Sequence, residues 1–206
     1  MNSFRVPSSI ALTACAASLV LTLAACGSDT DTASTSTPSV APVVTSSATE
    51  SANSGCPTAA PEAGAEPEWT LPGATGSVAV TGSTDTAAPL INVTGPFSVP
   101  ETQVHTLQAG DGPVVADTAE VSVCYMGVNG RDGSVFDSSY ERGTPVEFPL
   151  DGVVPGFQKA IAGQTVGSTV AVAVTSADGY PDGQPAAGIQ PGDTLIFAIK
   201  ILNASS

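Results

Sequence analysis

The sequence predicts an α+β domain, an antiparallel β-sheet packed around one short helix. Two observations carry this expectation. From Trp69 onward, short runs that alternate apolar with small or polar residues recur between Gly- and Pro-rich breaks, the pattern of strands with one buried face. Between them only Pro155 to Ala162 reads as a helix, with Pro at its start, where the missing N–H costs nothing. Many strands with a single helix suit an antiparallel sheet better than a parallel one. Residues 68–202 hold enough chain for one modest core and not for two.

Taken in order, residues 1–25 read as a processing segment that stays outside the fold. Arg5 is its single charge, Ile10 to Ala25 is apolar, and Leu23-Ala-Ala-Cys26 sets small residues directly before a cysteine. Those features resemble the lipobox of bacterial lipoproteins, in which Cys26 would be acylated; an ordinary secretory signal that happens to contain Cys26 is the alternative. A stretch of about 15 apolar residues is short for a bilayer span, which takes about 20. Residues 26–67 are dominated by Ser, Thr, Ala, Pro and Gly, with no aromatic residue and no hydrophobic period. Such a composition buries too little apolar surface to offset chain entropy, and a disordered tether is expected, with an r.m.s. reach of about 35 Å. It would space the domain from the membrane or merely solubilise it; composition does not separate the two.

Strands are expected at Ser77–Thr81 and Leu90–Thr94, then at Val121–Met126, where Val121, Val123 and Tyr125 share one face and Ser122, Cys124 and Met126 the other. Thr169–Thr175 alternates Val with smaller residues, and Thr194–Leu202 sets Leu195, Phe197, Ile199 and Ile201 on one face. Residues 203–206 are left as a tail. Residues 68–97 either extend the sheet or cover it.

Charge narrows the function. The whole chain carries −14, and loss of Arg5 with the leader leaves only Arg131, Arg142, Lys159 and Lys200 against all 19 acids. A chain this acidic repels nucleic acid and anionic lipid heads, so no nucleic-acid partner is expected and membrane attachment would run through lipid alone. Cys15 leaves with the leader and Cys26 would carry lipid. Cys56 and Cys124 remain, either as two thiols or, as an even pair in an oxidising compartment suggests, as a disulfide. If Tyr125 faces the core, Cys124 faces the other side of the sheet, and the segment near Cys56 is available to cover it. With one histidine (His105) and no CxxC, no metal site is expected.

Two segments carry the chemistry. Gly133-Ser-Val-Phe-Asp-Ser-Ser-Tyr140 sets an acid between an aromatic ring and two hydroxyls; Gly152-Val-Val-Pro-Gly-Phe157 opens the helix with Val153, Val154 and Phe157. Together they suggest an apolar, aromatic-lined pocket with few polar groups, poorly equipped for hydrolysis, phosphate transfer or metal chemistry. Taken singly, Phe136, Phe197 and Val153 read more readily as core, Asp137 as a turn former, His105 as surface and Lys159 as a solvated charge.

Together with Tyr125-Met-Gly127, Val166-Gly167, Gly179-Tyr180 and Thr194-Leu-Ile-Phe197, these segments resemble the FKBP-type peptidyl-prolyl cis–trans isomerases in order and spacing over residues 107–202. The likeness is to a bacterial, actinobacterial-type lipoprotein member. It implies a twisted antiparallel sheet wrapped around a short helix, with Tyr125, Phe136, Asp137, Val153, Val154, Phe157, Tyr180, Ile189 and Phe197 around a proline pocket. Phe157 would form the floor, Tyr125, Phe136 and Phe197 the walls. The Tyr180 hydroxyl and the Val154 N–H would donate to substrate carbonyls, and Asp137 would accept at the rim.

The sequence departs from the family pattern in four ways. Phe157 stands where the family usually has Trp. Val146, with Phe148 two positions on, replaces a second aromatic. The loop after Tyr180 lacks its usual Gly, and the segment before Val153 is shorter. A roomier pocket should turn over more slowly and hold macrocyclic FKBP inhibitors less tightly. The expected function is isomerisation of X-Pro bonds in exported proteins, by a cofactor-free monomer anchored by lipid outside the cytoplasm. The alternative is a catalytically weak binding or chaperone module for proline-containing partners.

Overall fold

A computed structural model describes residues 55–61 and 64–205. The expected leader, Cys26 and the tether as far as residue 54 lie outside the described residues. Nine strands and two short helices follow one another: β1 (Trp69–Pro72), β2 (Thr75–Thr81), β3 (Leu90–Ser98), β4 (Gln103–Gln108), β5 (Glu120–Asn129), β6 (Val135–Ser138), α1 (Ser139–Arg142), β7 (Val146–Pro149), α2 (Pro155–Ile161), β8 (Thr169–Val174) and β9 (Leu195–Ser205). They form two antiparallel sheets. One has the order β1-β2-β3; the other runs β4-β8-β9-β5-β6, with β7 also pairing β5.

The central strands are buried on both faces, and their alternation separates two cores. On the front, Val170, Val172 and Val174 of β8 and Leu195, Phe197, Ile199 and Ile201 of β9 meet Phe157, Ala160 and Ile161 of α2. On the back, Ala171, Ala173, Ile196 and Ala198 meet Val78, Val80, Ile91 and Phe97 of the three-stranded sheet. Residues 68–97 therefore cover the large sheet and do not extend it. Small alanines on the back suit close approach of a second sheet. On the front, Gly156 plays that part, because a Cβ there would stand 2.2 Å from Val174 Cγ1.

Cys124 lies on the back of β5, opposite Val123, and is joined to Cys56 with the Cα atoms 5.6 Å apart. The disulfide holds residues 55–61 against that face. Cys56 N–H donates to Gly143 O at 3.3 Å and Ala88 N–H to Ala59 O at 2.8 Å. Tyr140, fully buried beneath, donates its hydroxyl to Ser83 Oγ at 2.8 Å. Composition assigned residues 55–61 to the tether; a covalent link and two backbone bonds hold them to the domain instead. At the other end, β9 runs on through the expected tail, pairing Asn203, Ala204 and Ser205 with Ser122, Val121 and Glu120 beyond a bulge.

Strands β1, β4, β6 and β7 were not foreseen. Three of them have four residues, too few to show a period, and β4 is a largely exposed edge strand. On β4 the exposed His105 stacks on Trp69, centroids 5.6 Å apart.

Candidate functional site

The front core opens between β5, β6, β7, α2 and the loop after β8, leaving a cavity of about 290 Å³. Tyr125, Phe136, Asp137, Val146, Phe148, Val153, Val154, Phe157, Tyr180 and Phe197 all line it, joined by Gly152. Tyr125 and Phe197 lie opposite each other's neighbours on paired β5 and β9, where Gly127 faces Phe197. Phe136 arrives from β6, whose next residue, Asp137, pairs with Gly127. A Cβ on Gly127 would come within 2.6 Å of the Phe136 ring and 2.9 Å of Phe197. Glycine is what lets these two rings meet over β5.

Five rings form an edge-to-face web. The Phe157 centroid is 5.1 Å from Phe197, 5.6 Å from Tyr125 and 5.7 Å from Phe148. Phe136 stands at 89° to Phe197, 5.6 Å away. Such contacts favour a fixed arrangement, each adding about 0.5–1.5 kcal/mol beyond burial. Phe157 itself is 7% exposed and sits at the centre of the web because Pro155 starts α2 directly after the 3-10 turn Leu150–Gly152, turning the first helical face inward.

Asp137 is the charged residue of the lining. Its two oxygens are both engaged, one by the Tyr125 hydroxyl and one by Arg142 Nη1 at the end of α1. Burial pushes its carboxyl upward, but the Tyr125 and Arg142 hydrogen bonds together outweigh this and hold it below the ordinary 3.8. Burial first, and then the adjoining carboxylate, push the Tyr125 phenol up to about 12. At neutral pH the pair is thus a carboxylate and a neutral phenol with the proton settled. Asp137 was expected to be an acceptor at the rim; each of its oxygens accepts one bond from the protein, and further lone pairs remain. Two donors remain open. Among the described residues, neither the Tyr180 hydroxyl nor the Val154 N–H meets a protein acceptor.

Ile189 is corrected. It is 2% exposed and belongs to the front core, outside the cavity lining, because a two-way backbone bridge with Gln184 turns it inward after the left-handed Gly188. Lys159, expected to be a solvated charge, is exposed and pairs with Asp178 at 2.7 Å. Sequence reasoning missed Arg142 as the partner of Asp137. Its position five residues on, across one helical turn capped by Ser138, is the signal that would have found it.

The family model described as "FKBP-type peptidyl-prolyl cis-trans isomerase" matches residues 112–202. The chain is 38% identical over 100 residues to the FKBP-type 22 kDa peptidyl-prolyl cis-trans isomerase of Escherichia coli, a match covering 48% of each protein. It is 35% identical over 102 residues to the FK506-binding protein of Streptomyces anulatus, covering 48% of this chain and 82% of that one. A crystal structure of FkpA from Escherichia coli is similar at 33% identity and TM-score 0.47, over 50% of this chain and 48% of that one. The chain thus spans about half the length of the first of these relatives.

Proposed function

The chain belongs to the FKBP-type peptidyl-prolyl cis–trans isomerase family, and from that premise we propose that it catalyses rotation about X-Pro peptide bonds in the ring-lined cavity. The observation that carries this function is a hollow lined by six aromatic residues in which Asp137, the one charged lining group among the described residues, is held by hydrogen bonds from Tyr125 and Arg142.

Rotation about an amide meets a barrier of about 18–20 kcal/mol because the twisted state loses resonance. In the planar amide the carbonyl carries more charge than at the twist. Moving it from water into an apolar hollow therefore costs the ground state more than the transition state. The Val154 N–H and the Tyr180 hydroxyl, both open, donate to carbonyls flanking the proline and hold the chain while the bond turns. Interactions that fit only the twisted geometry raise the rate; those that fit both raise affinity alone. Asp137, held by Arg142 and Tyr125, places a fixed negative charge at the rim and takes no proton.

The substrates are proline-containing segments of exported proteins. Uncatalysed isomerisation takes tens to hundreds of seconds, slow enough to limit folding. The buried Cys56–Cys124 disulfide supports an oxidising compartment, and Leu23-Ala-Ala-Cys26 supports anchoring through acylated Cys26. An intact mass of the mature amino terminus tests the anchor: a diacylated Cys26 is expected, and an unmodified terminus would refute it. The S. anulatus relative is named for FK506 binding; this pocket binds such macrocycles too, weakly, since Phe157 and Val146 fill less of it than larger aromatics would.

A protease-coupled assay on a prolyl tetrapeptide tests the activity. Turnover is expected, and Phe136→Ala should lower kcat/KM by at least about tenfold, the removal of one packed wall being worth more than 1.4 kcal/mol. Peptide binding without turnover in the wild-type protein would instead make the domain a binding module.

A further inference from the structure

One side of the cavity is formed by Tyr180 of the loop between β8 and β9, which begins after Val174 and carries 3-10 turns at Ser176–Asp178 and Pro185–Ala187. Ala187 packs against the front core, so this loop adjoins the hollow. Ile189 anchors one end of its tip in the core, and the tip is also tied to the hairpin turn between β5 and β6, the turn that leads directly into Phe136 and Asp137. The tie is a polar cluster, buried at Asp193 and Asn129 and exposed where Arg131 meets Gly188. Asp193, 9% exposed, accepts from Asn129 Nδ2 at 2.7 Å, from the Gln190 N–H at 2.8 Å and from Arg131 Nε at 3.2 Å. Arg131 Nη2 reaches further and donates to Gly188 O at 3.1 Å, at the tip of the loop. Arg131 is itself set in place from within the hairpin turn, where its N–H donates to Asn129 Oδ1 at 2.9 Å and its Nη1 to Asp132 at 2.9 Å.

Four features separate this cluster from ordinary surface pairing. Asn129 is 1% exposed, and its carboxylate partner is saturated by donors from two different loops. The guanidinium uses separate nitrogens for Asp193, Asp132 and Gly188, a fork that a lysine cannot reproduce. The Tyr180 end of the loop is tied independently, through Ser176 Oγ to Tyr180 O at 3.3 Å. Arg131 therefore governs the tip and not the base.

We propose that Arg131 is a positioning residue that clamps residues 184–189 beside the mouth of the cavity and so sets how tightly a prolyl peptide is held, a role that presupposes the proposed isomerase function. Of the rings that line the cavity only Tyr180 lies on this loop, at its separately tied base and outside residues 184–189. Releasing the clamp leaves the chemistry of bound substrate in place and weakens the hold on it. Asp193 and Asn129 serve the same purpose through Arg131, Asp193 also by fixing Gln190.

Three variants, Arg131→Gln, Arg131→Lys and the control Asp85→Asn on a distant exposed loop, test this in the full chain. For Arg131→Gln we expect KM for a prolyl tetrapeptide to rise about three- to tenfold, as loss of one or two charge-assisted bonds implies, with kcat within twofold. Arg131→Lys restores part of the loss and Asp85→Asn none. Amide exchange at Gln184 and Ile189 quickens about tenfold or more in Arg131→Gln, while β5 and β9 are unaffected. Unchanged KM, or kcat and melting temperature falling together with KM, overturns the clamp. If the wild-type protein shows no turnover the isomerase function fails on its own. The clamp is then decided by exchange at 184–189 and by titration with the same tetrapeptide, where unchanged affinity in Arg131→Gln overturns it.

Discussion

Breaking the Cys56–Cys124 bridge should destabilise the domain without disabling its cavity. The bridge closes a segment of 68 residues. Entropy removed from the unfolded chain scales with the logarithm of that length, and at 25 °C a loop of this size is worth about 4 kcal/mol. For a domain of this size 1 kcal/mol moves the midpoint by about 2–4 °C, so the double variant Cys56→Ala, Cys124→Ala should melt about 8–16 °C lower. The cavity should survive. Tyr125 faces the other side of β5 from Cys124, and its hydroxyl is fixed by Asp137 rather than by the strap. Isomerase activity at 25 °C should therefore stay within about twofold, well under the tenfold that 1.4 kcal/mol represents. Calorimetry and guanidinium titration of the oxidised protein and the double variant give the first quantity, and a protease-coupled assay the second. Because Cys56 and Cys124 are 4% and 1% exposed, thiol reductants should act only as fast as the domain opens. A midpoint loss under about 3 °C would show that the bridge removes little entropy from the unfolded chain. Loss of activity in a still-folded variant would show that residues 55–61 shape the cavity, contrary to their placement behind the sheet.

Three further outcomes follow from the site. Asp137 has a folded-state value below the ordinary 3.8, so its contribution is complete above that value and disappears as pH falls through the lower one; Tyr125 stays neutral to about 12. The kcat/KM profile should be flat from about pH 5 to pH 9 and fall only in stronger acid, and a bell centred near neutrality would contradict the assignment. Gly127→Ala should drive a methyl into the Phe136 and Phe197 rings and lower kcat/KM by about tenfold or more at small cost in secondary structure, visible as unchanged far-UV circular dichroism. Phe157→Trp should tighten binding of an FK506-type macrocycle by about three- to tenfold, since added aromatic surface contributes roughly 1 kcal/mol; unchanged affinity in calorimetric titration would place Phe157 away from the bound ring.

Legibility from sequence followed the range of the forces involved. Alternation along residues 121–126 and 194–202 separated Val123 from Cys124 and Phe197 from Ile196, because each strand is buried on two faces by different neighbours. The pocket residues were legible because most sit within two compact segments, 133–140 and 152–157, whose backbone is shaped locally by a hairpin, a 3-10 turn and a proline-started helix. What escaped was set at long range. Residues 55–61 have the composition of a tether; the pairing of Cys56 with Cys124 that holds them was expected, whereas the backbone bonds to Gly143 and from Ala88 were not. Ile189 turned inward because of a bridge across its own loop. Arg142 and Arg131 entered the sequence reading only as part of the net charge, and folding brought them against Asp137 and Asp193.

The account rests on shelter from water without proton transfer, and the solvent deuterium isotope effect on kcat/KM for a prolyl tetrapeptide measures that directly. No proton moves as the bond turns, so a ratio close to unity is expected, within about 20% as for unassisted rotation about an amide. A ratio of about two or more would put a proton in flight at the transition state and require a general acid or base that rotation in this cavity does not employ.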